Sequence, residues 1–294
     1  MAQRDFQSAI ERGLAVLETK PDAINTRHLV LAAARERREW QLALRMAREL
    51  VARSPEPGPA DWARVVVGSV VSAWDEVRES ASRLGMKLEG EGPIDEAWGL
   101  CRVRFAEPSG RSVDLVAQRT GPATARVLQI AGPGRTERFS SVVVFEPRAI
   151  DAIDAGAGGA RDSGDGREGG RPMLFPELQT VHDGGYKSYA LNGVHPGEAA
   201  VAALREELRG HAVVVQVVSD PTYQLHPGGS AEPLPGIYAF VAVPSAMTAK
   251  EASGLVSTAT AATRETLTWL DLAAAAGDEA LVAAQREVAQ RLGL

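Results

Sequence analysis

The sequence predicts a multidomain chain of α and α+β class: an array of α-hairpins, a small antiparallel β module, and a C-terminal domain with the element order β-α-β-β-α-β. Three observations predict it. A ladder of large and small side chains recurs every 34 residues through the first third of the chain. Short β-rich runs separated by turn residues come next. Beyond a glycine-rich stretch, strand-like and helix-like segments alternate in the stated order.

The ladder sets Phe6 over Trp40 over Trp74, then Ala9, Ala43 and Val77, then Gly13, Ala47 and Ala81, then Val16, Leu50 and Leu84. Pro21 and Pro55 close the first two units in the same register. A large aromatic followed at helical spacing by small residues lets neighbouring helices approach closely, and proline stops each second helix. Helices are expected at Asp5–Lys20, Thr26–Arg38, Glu39–Arg53, Asp61–Ala73 and Trp74–Leu84. The register places the first of these at a second-helix position, so the array is a half repeat followed by two full ones. The pattern over residues 3–88 resembles the tetratricopeptide repeat, a family of protein-binding scaffolds. The resemblance implies repeat packing through Phe6, Ala9, Trp40, Ala43, Trp74 and Ala81. It also implies a partner-binding groove lined from the first helix of the complete second repeat by Arg27, His28 and Arg35. Residues 22–55 hold seven arginines against four acidic residues, which points to an acidic or carboxylate-bearing peptide as the partner.

Residues 89–150 are expected to form a small β-rich module packed on the repeats. Trp98–Phe105, Val113–Gln118, Ala123–Ile130 and Ser141–Phe145 have strand composition, with Gly–Pro turns between them. Residues 151–172 read as a flexible linker: seven of the residues 156–170 are glycine, too few apolar groups to offset chain entropy. Residues 173–294 follow with strands at Tyr186–Leu191, Ala212–Ser219, Ile237–Val243 and Thr266–Leu272, helices at Gly197–Arg209 and Thr248–Thr263, and a final helix at Glu279–Leu292. This order resembles the ferredoxin-like split βαβ arrangement, a fold that names no activity by itself.

Chemistry-bearing motifs are few. His195-Pro196-Gly197-Glu198 has the HxxE spacing that supplies two zinc ligands in metallocarboxypeptidases, and it resembles their first metal-binding segment. A catalytic zinc needs a third protein ligand, and no histidine follows His226. Pro196 and Glu198 also suit the first turn of a helix. Tyr238–Val241 resembles the RNP1 segment of RNA-recognition motifs, and Tyr189–Asn192 resembles RNP2, which implies base stacking on Tyr189, Tyr238 and Phe240. Ile237 stands where RNP1 has glycine, and residues 174–294 carry 7 basic against 13 acidic side chains, a balance opposed to phosphate contact. Cys101, the only cysteine, sits in an apolar strand beside Leu100 and Val103 and reads as a buried structural thiol.

No apolar run approaches the roughly 20 residues that cross a bilayer, and one cysteine excludes an internal disulfide. The expectation is therefore a cytoplasmic, non-catalytic adaptor without cofactor or metal. It would bind a protein or peptide through the helical groove, with pairing to a second copy as a further option. Nucleic-acid binding by the C-terminal sheet is the alternative, and a zinc hydrolase built on His195 and Glu198 the third reading.

Overall fold

The computed structural model describes residues 5–150, 172–228, 232–263 and 265–294. The stretch read as a flexible linker lies, but for its last residue, outside the described residues. The chain divides into two compact units. One comprises residues 1–106, 112–126 and 142–182, the other residues 107–111, 127–141 and 183–294.

In the first unit five helices run in succession: α1 (Phe6–Thr19), α2 (Ile24–Glu36), α3 (Trp40–Ala52), α4 (Pro59–Val70) and α5 (Trp74–Arg83). The three ladder aromatics are the first residues of α1, α3 and α5. Local signals set the starts. Asp5 accepts from the Ser8 N–H at 2.9 Å, and Pro59 opens α4 while the Gly58 N–H donates to Asp61 Oδ2 at 3.1 Å. The 34-residue period extends to the backbone. Arg38 and Ser72, one period apart, both take positive φ (58° and 60°). After each, the next N–H returns to the helix just ended: Glu39 to the Ala34 carbonyl at 2.8 Å, Ala73 to the Gly68 carbonyl at 2.9 Å. The two reversals are one turn used twice.

Equivalent seats are also occupied by ion pairs of exchanged sign. Arg27 on α2 donates to Glu49 on α3 at 2.7 Å, and Asp61 on α4 accepts from Arg83 on α5 at 2.8 Å. Arg27 and Asp61 are one period apart, as are Glu49 and Arg83, and both first-helix partners are buried (3% and 0% exposed). Small residues bring the helices together: a Cβ at Gly13 would collide with Val30, and one at Gly68 would lie 2.9 Å from Val77.

The first unit also contains a closed barrel of β1 (Leu100–Ala106), β2 (Ser112–Arg119), β3 (Thr124–Val127), β4 (Val142–Phe145) and β5 (Leu174–His182). Its interior holds Cys101, Val103, Phe105, Leu115 and Ala117, with Phe145 stacked on Phe175 at 4.6 Å. The guanidinium of Arg119 lies 5.3 Å from the Trp98 ring and 5.7 Å from each of those two phenylalanines. Outward, Val144, Leu178 and Val181 share an apolar cluster with Trp62, Val65, Val66 and Val70 of α4 and Val77 of α5.

In the second unit, β6 (Tyr186–Val194), α6 (Glu198–Arg209), β7 (Val214–Val217), β8 (Gln224–Leu225), β9 (Leu234–Pro244), α7 (Ala249–Ala261), β10 (Leu267–Thr268), α8 (Leu270–Ala275) and α9 (Glu279–Leu292) follow one another. The sheet has the order β10-β6-β9-β7, antiparallel throughout, with β8 beside β9. Its core joins Leu191, Val215, Ala239 and Val241 to Val201 and Leu204 of α6 and to Ala252 and Val256 of α7.

The expected fold class is corrected by the barrel. The β module is not purely antiparallel, and it is not confined to residues 89–150. It closes on itself through a parallel pairing of β1 with β5 (Arg102 opposite Leu174), and β5 comes from the region assigned to the ferredoxin-like domain. A chain with a closed five-stranded barrel is not described by an open ferredoxin-like sheet beside a minor module. The last expected strand is also shorter than read. Gln285 Oε1 accepts the Trp269 N–H at 2.8 Å, which takes that donor from the ladder, and helix α8 begins at Leu270.

Replacing Asp61 with Ala leaves Arg83 without its buried partner and is expected to lower the unfolding free energy by about 3 kcal/mol in urea titration followed by circular dichroism. Arg27→Asp and Glu49→Arg each destabilise the fold alone. The double variant regains most of the loss, since it installs in the second hairpin the pair that the third already uses.

Candidate docking site on the helical array

Period arithmetic identifies equivalent seats on α2 and α4, and the structure treats them differently. Trp62, Val66 and Val70 of α4 are packed under the barrel strands β4 and β5. One period earlier stand His28, Ala32 and Glu36 of α2, all exposed. The same face of the array is thus covered by the chain's own barrel at the third hairpin and open at the second. Leu29 (67% exposed) and Ile24 (47%) enlarge the open part with apolar surface.

Of the three residues expected to line a groove, the structure leaves only His28 facing solvent. Arg27 is buried in its ion pair with Glu49. Arg35 reaches across to Glu146, which follows β4, and burial lowers the pKa of its guanidinium against the opposing effect of Glu36. Other arginines are engaged as well: Arg37 pairs with Glu39, Arg48 with Glu76 and Arg53 with Asp22, while Arg38 donates to Gln179 of β5. Five of the seven arginines thus pair with a carboxylate, which weakens the electrostatic case for an acidic peptide; the open face sets apolar Ile24, Leu29 and Ala32 beside His28 and Glu36.

The repeat-packing residues divide in an informative way. Trp40 and Trp74 are half-buried, as is Phe6, and Ala43 and Ala81 are fully buried. Ala9, the counterpart of Ala43 on α1, is exposed. Among the described residues no helix covers this face of α1. The missed residues are Arg12, Val16 and Leu29. The signal was available: apolar Val16 and Leu29 stand at periodic positions where a complete hairpin would cover them.

On the back of the array, Ile10 and Leu14 of α1 and Leu42 of α3 floor a groove of about 470 Å³, rimmed by Gln7, Glu11, Glu39, Gln41 and Arg45. In the second unit a groove of about 780 Å³ runs between α6 and α7 over Leu208, Met247 and Leu255, with Glu207, His211 and Glu251 at its margins.

The remaining motifs acquire definite positions. Tyr189 lies opposite Val241 on β9, whereas Tyr238 lies opposite Asn192. Strand parity therefore sends Tyr189 to the helix-covered side and Tyr238 with Phe240 to the other. The three aromatics do not form one stacking platform. Tyr238 and Phe240 meet edge-on at 5.4 Å, and the phenol of Tyr238 is shifted upward in pKa by burial first, then by Asp271 and Tyr223. His195 Nδ1 accepts the Gly197 N–H at 3.0 Å, and its Nε2 faces Glu198 Oε1 at 3.5 Å. Among the described residues no three His, Cys, Asp or Glu side chains gather as a metal site. Among them, too, no helix is long and apolar enough to cross a membrane.

Comparison of the chain with protein-family models, with curated proteins and with solved structures finds no match.

Cys101 is buried on β1, and burial, only partly offset by Arg119, pushes its thiol pKa up to about 11. The thiol stays protonated and enclosed at pH 8. A maleimide or disulfide reagent is expected to leave the native protein unlabelled over hours and to label it stoichiometrically once urea unfolds it.

Proposed function

We propose that this chain is a non-catalytic protein-interaction adaptor whose tetratricopeptide-like array docks a protein partner through its first and second hairpins. One observation carries the reading: seats that the third hairpin fills against the barrel are repeated one period earlier and left open. A face built to be covered, and covered over half its length by the chain itself, is a surface for another polypeptide. The repeated turn, the repeated ion pair and the ladder support a tetratricopeptide-like architecture, in which that face is the binding face. The apolar character of Ile24, Leu29 and Ala32 favours a partner held by side-chain burial over one held by charge.

Affinity purification of the full chain from its native host, with wild type compared against Ala32→Glu, tests this. The variant is expected to lose the principal protein partner while keeping the wild-type unfolding midpoint. Equal recovery of the same partners by both proteins would remove the array face from the binding reaction.

A further inference from the structure

The ladder permits a residue-by-residue comparison of the three second helices. On α3 the positions Ala43, Met46 and Leu50 are 0%, 2% and 1% exposed, and on α5 Val77 and Ser80 are both fully buried. These positions face the first helix of their own hairpin. Arg64 of α4 donates to Ser80 Oγ at 2.5 Å, and the hairpin ion pairs cross the same interface. On α1 the equivalent positions are Ala9, Arg12 and Val16. Ala9 and Arg12 are exposed, and Val16 is 40% exposed. Beside them Leu29 of α2 is 67% exposed, whereas Ala63, one period later on α4, packs against the apolar cluster that joins α1 to α4. Among the described residues no helix covers this stripe.

We propose that the stripe Ala9–Arg12–Val16, with Leu29 beside it, is a seat for one amphipathic helix of a partner protein, which completes the first hairpin. This rests on the adaptor reading above and names the partner's chemistry. The two filled seats describe the occupant. It runs antiparallel to α1 and carries a small residue where α2 has Ala34 and α4 has Gly68, because a Cβ at Gly68 already comes within 2.9 Å of Val77. It carries a carboxylate where Arg64 stands on α4, since the residue opposite is Arg12, which has no ion-pair partner among the described residues. Apolar side chains at the flanking turns cover Val16 and Leu29. Charge complementarity at Arg12 therefore separates this helix from α2, whose residue at that place is Val30.

The probe is a stapled, fluorescent peptide with the sequence of residues 24–36 and Val30→Glu, titrated into the full chain by anisotropy. Saturable binding is expected, reduced about tenfold or more by Val16→Glu or Leu29→Glu in the protein, as for core interface positions. Arg12→Glu should abolish it, and a second peptide with Val30→Lys should rescue that variant. Binding unaffected by Val16→Glu and Leu29→Glu, or no rescue by the reversed charge, would overturn the seat. Dimerisation of the chain that Leu29→Glu abolishes would overturn it in favour of a second copy. Absence of peptide binding while Ala32→Glu still removes the native partner would overturn the seat and leave the adaptor reading standing. Loss of neither partner nor peptide on any array substitution would end both.

Discussion

Close contact between paired helices is the constraint on which the rest of the N-terminal unit depends. Gly13 touches Val30, Gly68 nearly touches Val77, and Ala43, Ala47 and Ala81 lie fully buried between helices. At such separations a methylene more or less is felt directly. The hairpin ion pairs need that proximity to be short, and their burial makes each partner dependent on the other. The exchange of sign between Arg27–Glu49 and Asp61–Arg83 shows that the interface demands complementarity of charge and is indifferent to its direction.

The barrel acts on this array as a built-in ligand. Its β4 and β5 strands cover the third hairpin through Val144, Leu178 and Val181, and Glu146 and Gln179 satisfy Arg35 and Arg38 at the next. Repeat arrays bury their apolar faces only against neighbours and need an end piece that stops the stacking. Here a sheet does that at the C-terminal end. At the opposite end, among the described residues, Val16 and Leu29 are exposed.

Much of the helical architecture was legible because periodicity reports local and nearest-neighbour contacts together. The positions of Phe6, Trp40 and Trp74 located three helix starts. The strand that closes the barrel was not legible, since the pairing of Arg102 with Leu174 joins segments on either side of a glycine-rich stretch, and no local signal encodes which strand a lone β-rich run will join. The fate of Tyr189 was hidden for a different reason: a face assignment needs the cross-strand register, and one residue of offset reverses it. The arginines misled because composition counts charges without their partners. Arg27 looked like a groove residue and is instead a buried lock between helices, which only Glu49, 22 positions away, reveals.

The order in which β5 joins the barrel also bears on biogenesis. A ribosome delivers the array and four barrel strands well before Leu174–His182 emerges. Until it does, β1 keeps an unpaired edge, and the apolar flank of α4 around Trp62 lacks the cover that Leu178 and Val181 supply. A nascent chain in this condition has both hallmarks of a chaperone substrate, a free strand edge and bare hydrophobic surface. Truncation after Phe145 and before Leu174 would hold it there permanently, so the cell would meet such shortened products as aggregation-prone clients.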